Sequence, residues 1–220
     1  MASYFSSSIG RKHVLAFTGL GLCGFLVTHL AANLLIPFNP QAFNTYSYNL
    51  IHNPFIYLAE TVLLLMFLVH IVLALWLNLE NRAARPQRYH AKKKTGQGTT
   101  VASSTMVATG LITLVFLVLH LMNLKFGAEY TVTYDGVEMR DLHRLVLEYF
   151  SSLPNVVWYV MAHVALALHT FHGFQSAFQS LGFNHPRYTK CVKAIGKLYA
   201  VAIAGGFAFI AIWAYGQGGV

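Results

Sequence analysis

The chain has 220 residues, of which 56% are hydrophobic and 10% charged, against about 25% charged in an ordinary soluble domain. Lipid is therefore the expected solvent, and at roughly 20 apolar residues per membrane span the length accommodates five or six helices in one transmembrane domain, residues 1–220, with no sizeable soluble domain. The net charge of +8 falls in short clusters between apolar runs rather than along one face, which argues against nucleic acid as a partner; dicarboxylate, nucleotide and flavin chemistry would sit on another chain.

Five apolar runs follow one another, at about 13–36, 56–79, 101–124, 156–180 and 196–215. Each is long enough to cross a bilayer. Backbone groups in lipid must be bonded within their own segment, so all five are expected as helices, even where β-branched residues collect at 111–119. The first run follows Arg11 and Lys12 as the apolar part of a signal peptide would, but at about 24 residues it is too long for one and is read as a span. Cys23 and Cys191 lie far apart and outside any C-x-x-C-H, so neither a disulfide framework nor covalent haem attachment is encoded.

Between the runs lie a Pro/Asn-rich loop at 37–54, a basic loop at 81–98, a polar loop at 125–155 and a short basic turn at 182–197. Within the third, residues 141–150 carry apolar side chains at helical spacing and are expected as a helix lying on the bilayer surface. No convincing internal repeat is evident. Twelve of the 15 Lys and Arg fall in the N-terminal segment, the second loop and the last turn. The positive-inside rule then places the N-terminus in the cytoplasm and the C-terminus outside.

Eleven histidines in so apolar a chain are its main anomaly. His29, His70, His120, His163 and His169 lie within spans, with His172 near the inner end of the fourth. An ionisable group inside a membrane is expected to face the bundle interior and to have a functional partner. A neutral histidine bonded to a neighbouring helix is the plainer alternative. At ~1.5 Å per residue, His29 lies ~25 Å and His120 ~30 Å from the inner ends of their runs, whereas His70 and His169 lie only ~14 and ~17 Å from theirs. Two levels, each served by two helices running in the same direction, match two stacked bis-imidazole haem sites inside a four-helix bundle, with a fifth helix beside it. A structural zinc site fits less well, because it needs four ligands at one point and the levels differ by ~10 Å.

Depth leaves either His169 or His172 for the inner level, since they stand one turn apart on the fourth span. His163, in the outer half, is read as a buried hydrogen-bonding or proton-handling group. Gly19, Gly21 and Gly24 allow close helix packing and would also leave room for a flat macrocycle beside the helix that carries His29.

The segment Ser7-Ser8-Ile9-Gly10-Arg11-Lys12, followed by Thr18-Gly19-Leu20 and His29, resembles the start of the b558-type cytochrome subunit of succinate dehydrogenases and fumarate reductases. The fourth span, Leu168-His169-Thr170-Phe171-His172-Gly173-Phe174-Gln175-Ser176-Ala177-Phe178-Gln179-Ser180-Leu181-Gly182, with the following Asn184-His185-Pro186, resembles that family's fourth helix and turn. The order and spacing of all five spans agree, so the resemblance covers nearly the whole chain.

What the resemblance implies is an all-α membrane anchor of five helices with two haems b and no catalytic residue of its own. It would carry electrons between an iron-sulfur subunit, docked with an FAD-bearing flavoprotein on the cytoplasmic side, and membrane quinone, expected as menaquinone. The setting would be the inner membrane of a bacterium, its respiratory chain and its tricarboxylic acid cycle. His169, as the histidine of H-x-x-x-G, becomes the fourth-helix ligand. His70 and His169 hold the proximal haem, His29 and His120 the distal one. Ser8, Arg11, Lys12, Gly19, His172 and Ser180 are candidate haem surroundings, and Asn33, Tyr46 and His52 candidate quinone contacts. The sequence departs from some dihaem members at Ala167, where they carry a glutamate used in proton transfer, so His163 is the substitute candidate. Competing readings are the haem b anchor of a hydrogenase or formate dehydrogenase, and a haem-free transporter whose histidines line a proton path.

Overall fold

The computed structural model describes residues 7–84 and 104–218. Most of the basic second loop, and the start of the third expected run at Val101, lie outside the described residues. The helices are α1 (Ser8–Asn33), α2 (Pro40–Ile51), α3 (Ile56–Ala83), α4 (Met106–His120), α5 (Leu142–Phe150), α6 (Leu153–Ser180) and α7 (Pro186–Gly216). A π-helical turn at Leu121–Lys125 prolongs α4, and a two-stranded sheet, β1 (Thr131–Tyr134) and β2 (Val137–Arg140), precedes α5. Five helices are long and apolar enough to cross a membrane: α1, α3, α4 with its π turn, α6 and α7. The chain is thus of the multi-pass helical class.

Helix starts follow local chemistry. The Ser7 and Asn39 side chains accept from backbone N–H groups in the first turns of α1 and α2, and Pro40, Pro154 and Pro186 stand at the first or second position of α2, α6 and α7. At the other end of the molecule the cap is built from segments expected as loops. Residues 40–51 form a helix. Tyr134-Asp135-Gly136-Val137 forms a hairpin whose two turn residues have φ of 51° and 80°, the left-handed pair that an Asp-Gly turn supplies.

Arg140 on β2 spans the gap to α4, donating from Nη1 to the Lys125 carbonyl (2.9 Å) and from Nη2 to those of Gly127 (3.1 Å) and Ala128 (3.0 Å). The Lys125 carbonyl is one that the end of the helix leaves without a partner, and Gly127 and Ala128 belong to the bend that follows. A Cβ at Gly127 would sit 1.9 Å from the Asn123 carbonyl oxygen, so only glycine permits this bend.

The expected surface helix at 141–150 forms as α5, but its apolar face is turned inward rather than onto lipid. Leu145, Val146, Leu147 and Phe150 are buried, and the last three, with Ile36, Phe43, Val156, Tyr159, Ile210 and Ala214, belong to the main hydrophobic core. Inward packing wins because α2, α6 and α7 offer a dry apolar surface at that level. The fully buried Asn44 locks the cap, donating from Nδ2 to Asp141 Oδ1 (2.9 Å) and accepting from the His143 N–H (3.0 Å).

Among the spans, α1 packs on α3 and α6, α4 on α6, and α7 along α6 and α1. The four helices α1, α3, α4 and α6 therefore stand at the corners of a square. Its α3–α4 side has the least contact and is bridged at the hairpin end by the Lys125–Glu60 ion pair. α1 and α4 occupy one diagonal, α3 and α6 the other.

Candidate functional site

The histidines of the four corner helices meet across the diagonals. His70 on α3 faces His169 on α6 with ring centres 6.3 Å apart and planes at 68°. His29 on α1 faces His120 on α4 at 5.9 Å and 88°. His169, rather than His172, is thus the α6 residue opposite His70.

The surroundings of the first pair are duplicated. Thr18 Oγ1 lies 3.3 Å from His70 Nδ1, and Thr109 Oγ1 lies 3.4 Å from His169 Nδ1. Each hydroxyl already donates its proton one turn back along its own helix, Thr18 to the Val14 carbonyl (2.9 Å) and Thr109 to the Thr105 carbonyl (3.0 Å). With that proton engaged, each hydroxyl oxygen offers the histidine a lone pair. The Leu15 and Met106 carbonyls are further acceptors for the same two rings. Acceptors around Nδ1 fix its proton there and leave Nε2 as a bare lone pair. The next residues press on the same ring edge: a Cβ on Gly19 would sit 3.2 Å from His70 Cε1, and one on Gly110 3.2 Å from His169 Cε1.

Sequence reasoning missed Thr18, Thr109 and Gly110, and the signal for them was present. Residues 18–29, TGLGLCGFLVTH, and 109–120, TGLITLVFLVLH, are identical at seven of twelve positions. The repeat includes the Thr-Gly step, a Phe four residues before each histidine, and His29 with His120 themselves. Phe25 packs on His29 with ring centres 5.2 Å apart and Phe116 on His120 at 5.6 Å. An internal repeat is therefore present. Most of the residues between these positions are small or apolar types common to any membrane span, which makes the repeat faint.

The repeat also sets the spacing of the two levels. His70 stands at Thr18 and His29 eleven residues further along α1; His169 stands at Thr109 and His120 eleven residues further along α4. Eleven residues of helix rise ~16 Å. This exceeds the ~10 Å read from the ends of the apolar runs, because those ends do not lie at equal depth.

The second pair has different neighbours. Asn33 Nδ2 donates to the His29 carbonyl (2.8 Å) and lies 3.4 Å from His29 Nδ1. His120 Nδ1 lies 3.3 Å from the Tyr159 hydroxyl. Tyr159 is hydrogen-bonded in turn to Tyr149, which also accepts from Asn123 Nδ2 (3.2 Å). Outside the spans, burial pushes the Tyr149 phenol up from its usual value. A polar chain thus leads from the cap to His120 through otherwise apolar packing.

His163 joins neither pair. It is buried, stacks on Phe207 of α7 (5.5 Å, 10°) and contacts Phe116 and Tyr159 edge-on. With Ala167 it borders a groove of 310 Å³ between α6 and α7.

Of the other candidate surroundings, Ser8 and Lys12 are exposed at the N-terminal face, and Ser180 and His172 are partly buried near it. Arg11 is ion-paired with Glu80 (2.6 Å) and lies over the Trp76 ring, which ties α1 to α3. Gly21 faces Met66, and Gly24 has open space. Asn33, Tyr46 and His52 are not brought together. Asn33 belongs to His29, Tyr46 is exposed, and His52 packs against Tyr48 with ring centres 4.0 Å apart and lines a cavity of 460 Å³ with Glu129, Glu138 and Arg140.

No group of three or more His, Cys, Asp or Glu able to hold a bare metal ion occurs among the described residues. What the arrangement supplies is two opposed pairs of imidazoles. Comparison with protein-family models, with curated proteins and with solved structures finds no match to this chain.

Proposed function

We propose that the chain is the membrane anchor and electron-transfer subunit of a succinate:quinone or quinol:fumarate oxidoreductase, holding two haems b, one between His70 and His169 and one between His29 and His120. The observation that carries the haem reading is the spacing of the opposed rings. Two imidazoles that shared one metal ion between their facing nitrogens would have ring centres about 6.2 Å apart, from metal–nitrogen distances of about 2 Å and about 1.1 Å from each nitrogen to its ring centre. The pairs stand at 6.3 and 5.9 Å.

The tautomers of His70 and His169 support the same reading. Nδ1–H of His70 and His169 is directed to acceptors on α1 and α4, so the free nitrogens carry lone pairs and cannot hydrogen-bond to one another. An electrophile between them resolves this. Gly19 and Gly110 keep the flanks of these rings clear of side chains.

When bound, each haem supplies an iron that cycles between ferric and ferrous forms at a potential set by its ligands and their hydrogen bonds. This chain's residues do the rest. The four histidines fix position and tautomer, the apolar walls exclude water, and the core under α5 seals the His29/His120 level from the hairpin face. Two levels ~16 Å apart form a route across much of the bilayer. The succinate or fumarate assignment, the menaquinone, the flavoprotein and iron-sulfur partners on the cytoplasmic side, and the bacterial inner membrane rest on the resemblance of the first and fourth spans.

Haem quantification on the purified protein tests this reading. The expected result is two haems b in the parent, one in each of His29→Ala, His70→Ala, His120→Ala and His169→Ala, and two in His172→Ala. The first and third variants should lose the same haem, the second and fourth the other. A parent with no reduced haem b absorption refutes the proposal. Co-purification with a covalent flavoprotein distinguishes the succinate or fumarate enzyme from a hydrogenase or formate dehydrogenase anchor.

A further inference from the structure

We infer that the two Thr-Gly steps, Thr18-Gly19 on α1 and Thr109-Gly110 on α4, are paired positioning elements for the two imidazoles of a single site, each orienting a histidine on the neighbouring helix. The inference rests on the proposed haem between His70 and His169, and goes beyond it by assigning what holds those ligands in place.

Four observations coincide at both steps. The threonine hydroxyl approaches the histidine's Nδ1 at 3.3 and 3.4 Å. That hydroxyl has its own proton engaged along its helix, so it acts as acceptor. The carbonyl three residues earlier, of Leu15 or Met106, supports the same ring. The following glycine brings the helix backbone against Cε1, where a Cβ would already be crowded at 3.2 Å. The steps lie 91 residues apart, 109 against 18, and belong to the segments identical at seven of twelve positions. Such outer partners fix the ring orientation and tautomer of a metal-bound histidine and raise its basicity. At His29 and His120 the corresponding partners are Asn33 and Tyr159, so the device belongs to one level.

The repeat makes the test specific, because two substitutions far apart in sequence must act on the same haem. Thr18→Val, Thr109→Val and the double variant are made in the purified holoprotein, with Thr18→Ser and Thr109→Ser as hydroxyl-retaining controls. Transfer of haem to excess apomyoglobin is followed together with the low-spin ferric resonances. Each valine variant is expected to release one of the two haems about two- to tenfold faster, the equivalent of one net hydrogen bond, and to shift that haem's resonance. The haem affected should be the one absent from His70→Ala, the effects should multiply in the double variant, and serine should restore the parent values.

The inference is overturned if release is unchanged, if both haems respond equally, if the two variants affect different haems, or if serine is as damaging as valine. A parent without haem, or His70→Ala and His169→Ala removing different haems, instead defeats the underlying reading.

Discussion

On the proposed reading, Tyr159→Phe would separate the two haem levels by chemistry rather than by ligand loss. The substitution keeps the ring and its packing on Phe116 and Phe150 (4.9 and 4.7 Å) and deletes only the hydroxyl. His120 Nδ1 then loses its hydroxyl partner, while Tyr149 keeps Asn123. A ligand histidine that donates from Nδ1 gives more electron density to the ferric ion, so deleting the acceptor favours the ferrous state and raises the potential. If the redox-dependent part is about one net hydrogen bond, 0.5–1.5 kcal/mol, the shift is about 20–65 mV upward for one electron, on the scale where tenfold is 59 mV. The assay is a spectroelectrochemical titration resolving the two haems, assigned by the His120→Ala and His70→Ala variants. A shift confined to the His70/His169 haem, a downward shift, or none at all would refute the reasoning.

Asn44→Ala breaks the fully buried link between α2 and the start of α5, leaving the His143 N–H and Asp141 Oδ1 without that partner. The expected loss is about 2–4 kcal/mol of local stability, read as faster amide exchange in α5, and unchanged exchange would contradict it. His163→Ala removes a stacked, buried ring that joins neither pair; the two proposed haems should stay bound and proton-coupled turnover should change, so a preparation with one haem would sink the separation drawn between His163 and the four proposed ligands. Burial holds His143 below the ordinary histidine pKa, partly opposed by Asp141. Its unfolded form therefore binds protons more readily, and stability is lost as pH falls through about 6.5 and below. His143→Gln should lose less thermal stability than the parent between pH 7.5 and pH 5.5.

The membrane class was legible from composition, because lipid as solvent forces long apolar helices regardless of β-branched content. The two segments expected as loops carry their structure in local chemistry. Asn39-Pro40 is a helix start, and Tyr134-Asp135-Gly136-Val137 a hairpin, by rules that act over four residues. The inward turn of α5 was different, since its amphipathic pattern suits a lipid surface as well as a protein core, and only the packing of α2, α6 and α7 decides between them.

The candidate site divides along the same line. Helix rise and direction sorted the four histidines into two levels by themselves, because depth in a straight helix is a function of residue number. Which α6 histidine meets His70, how far apart the levels stand, and which atoms hold each Nδ1 depend on helix rotation and cross-helix contact. Those are set by side-chain packing between segments some fifty to a hundred residues apart in the chain, as between Thr18 and His70 or His70 and His169. The Thr-Gly repeat belongs to both: its letters stand in the sequence, but only the fold shows that the two copies converge on one pair of rings.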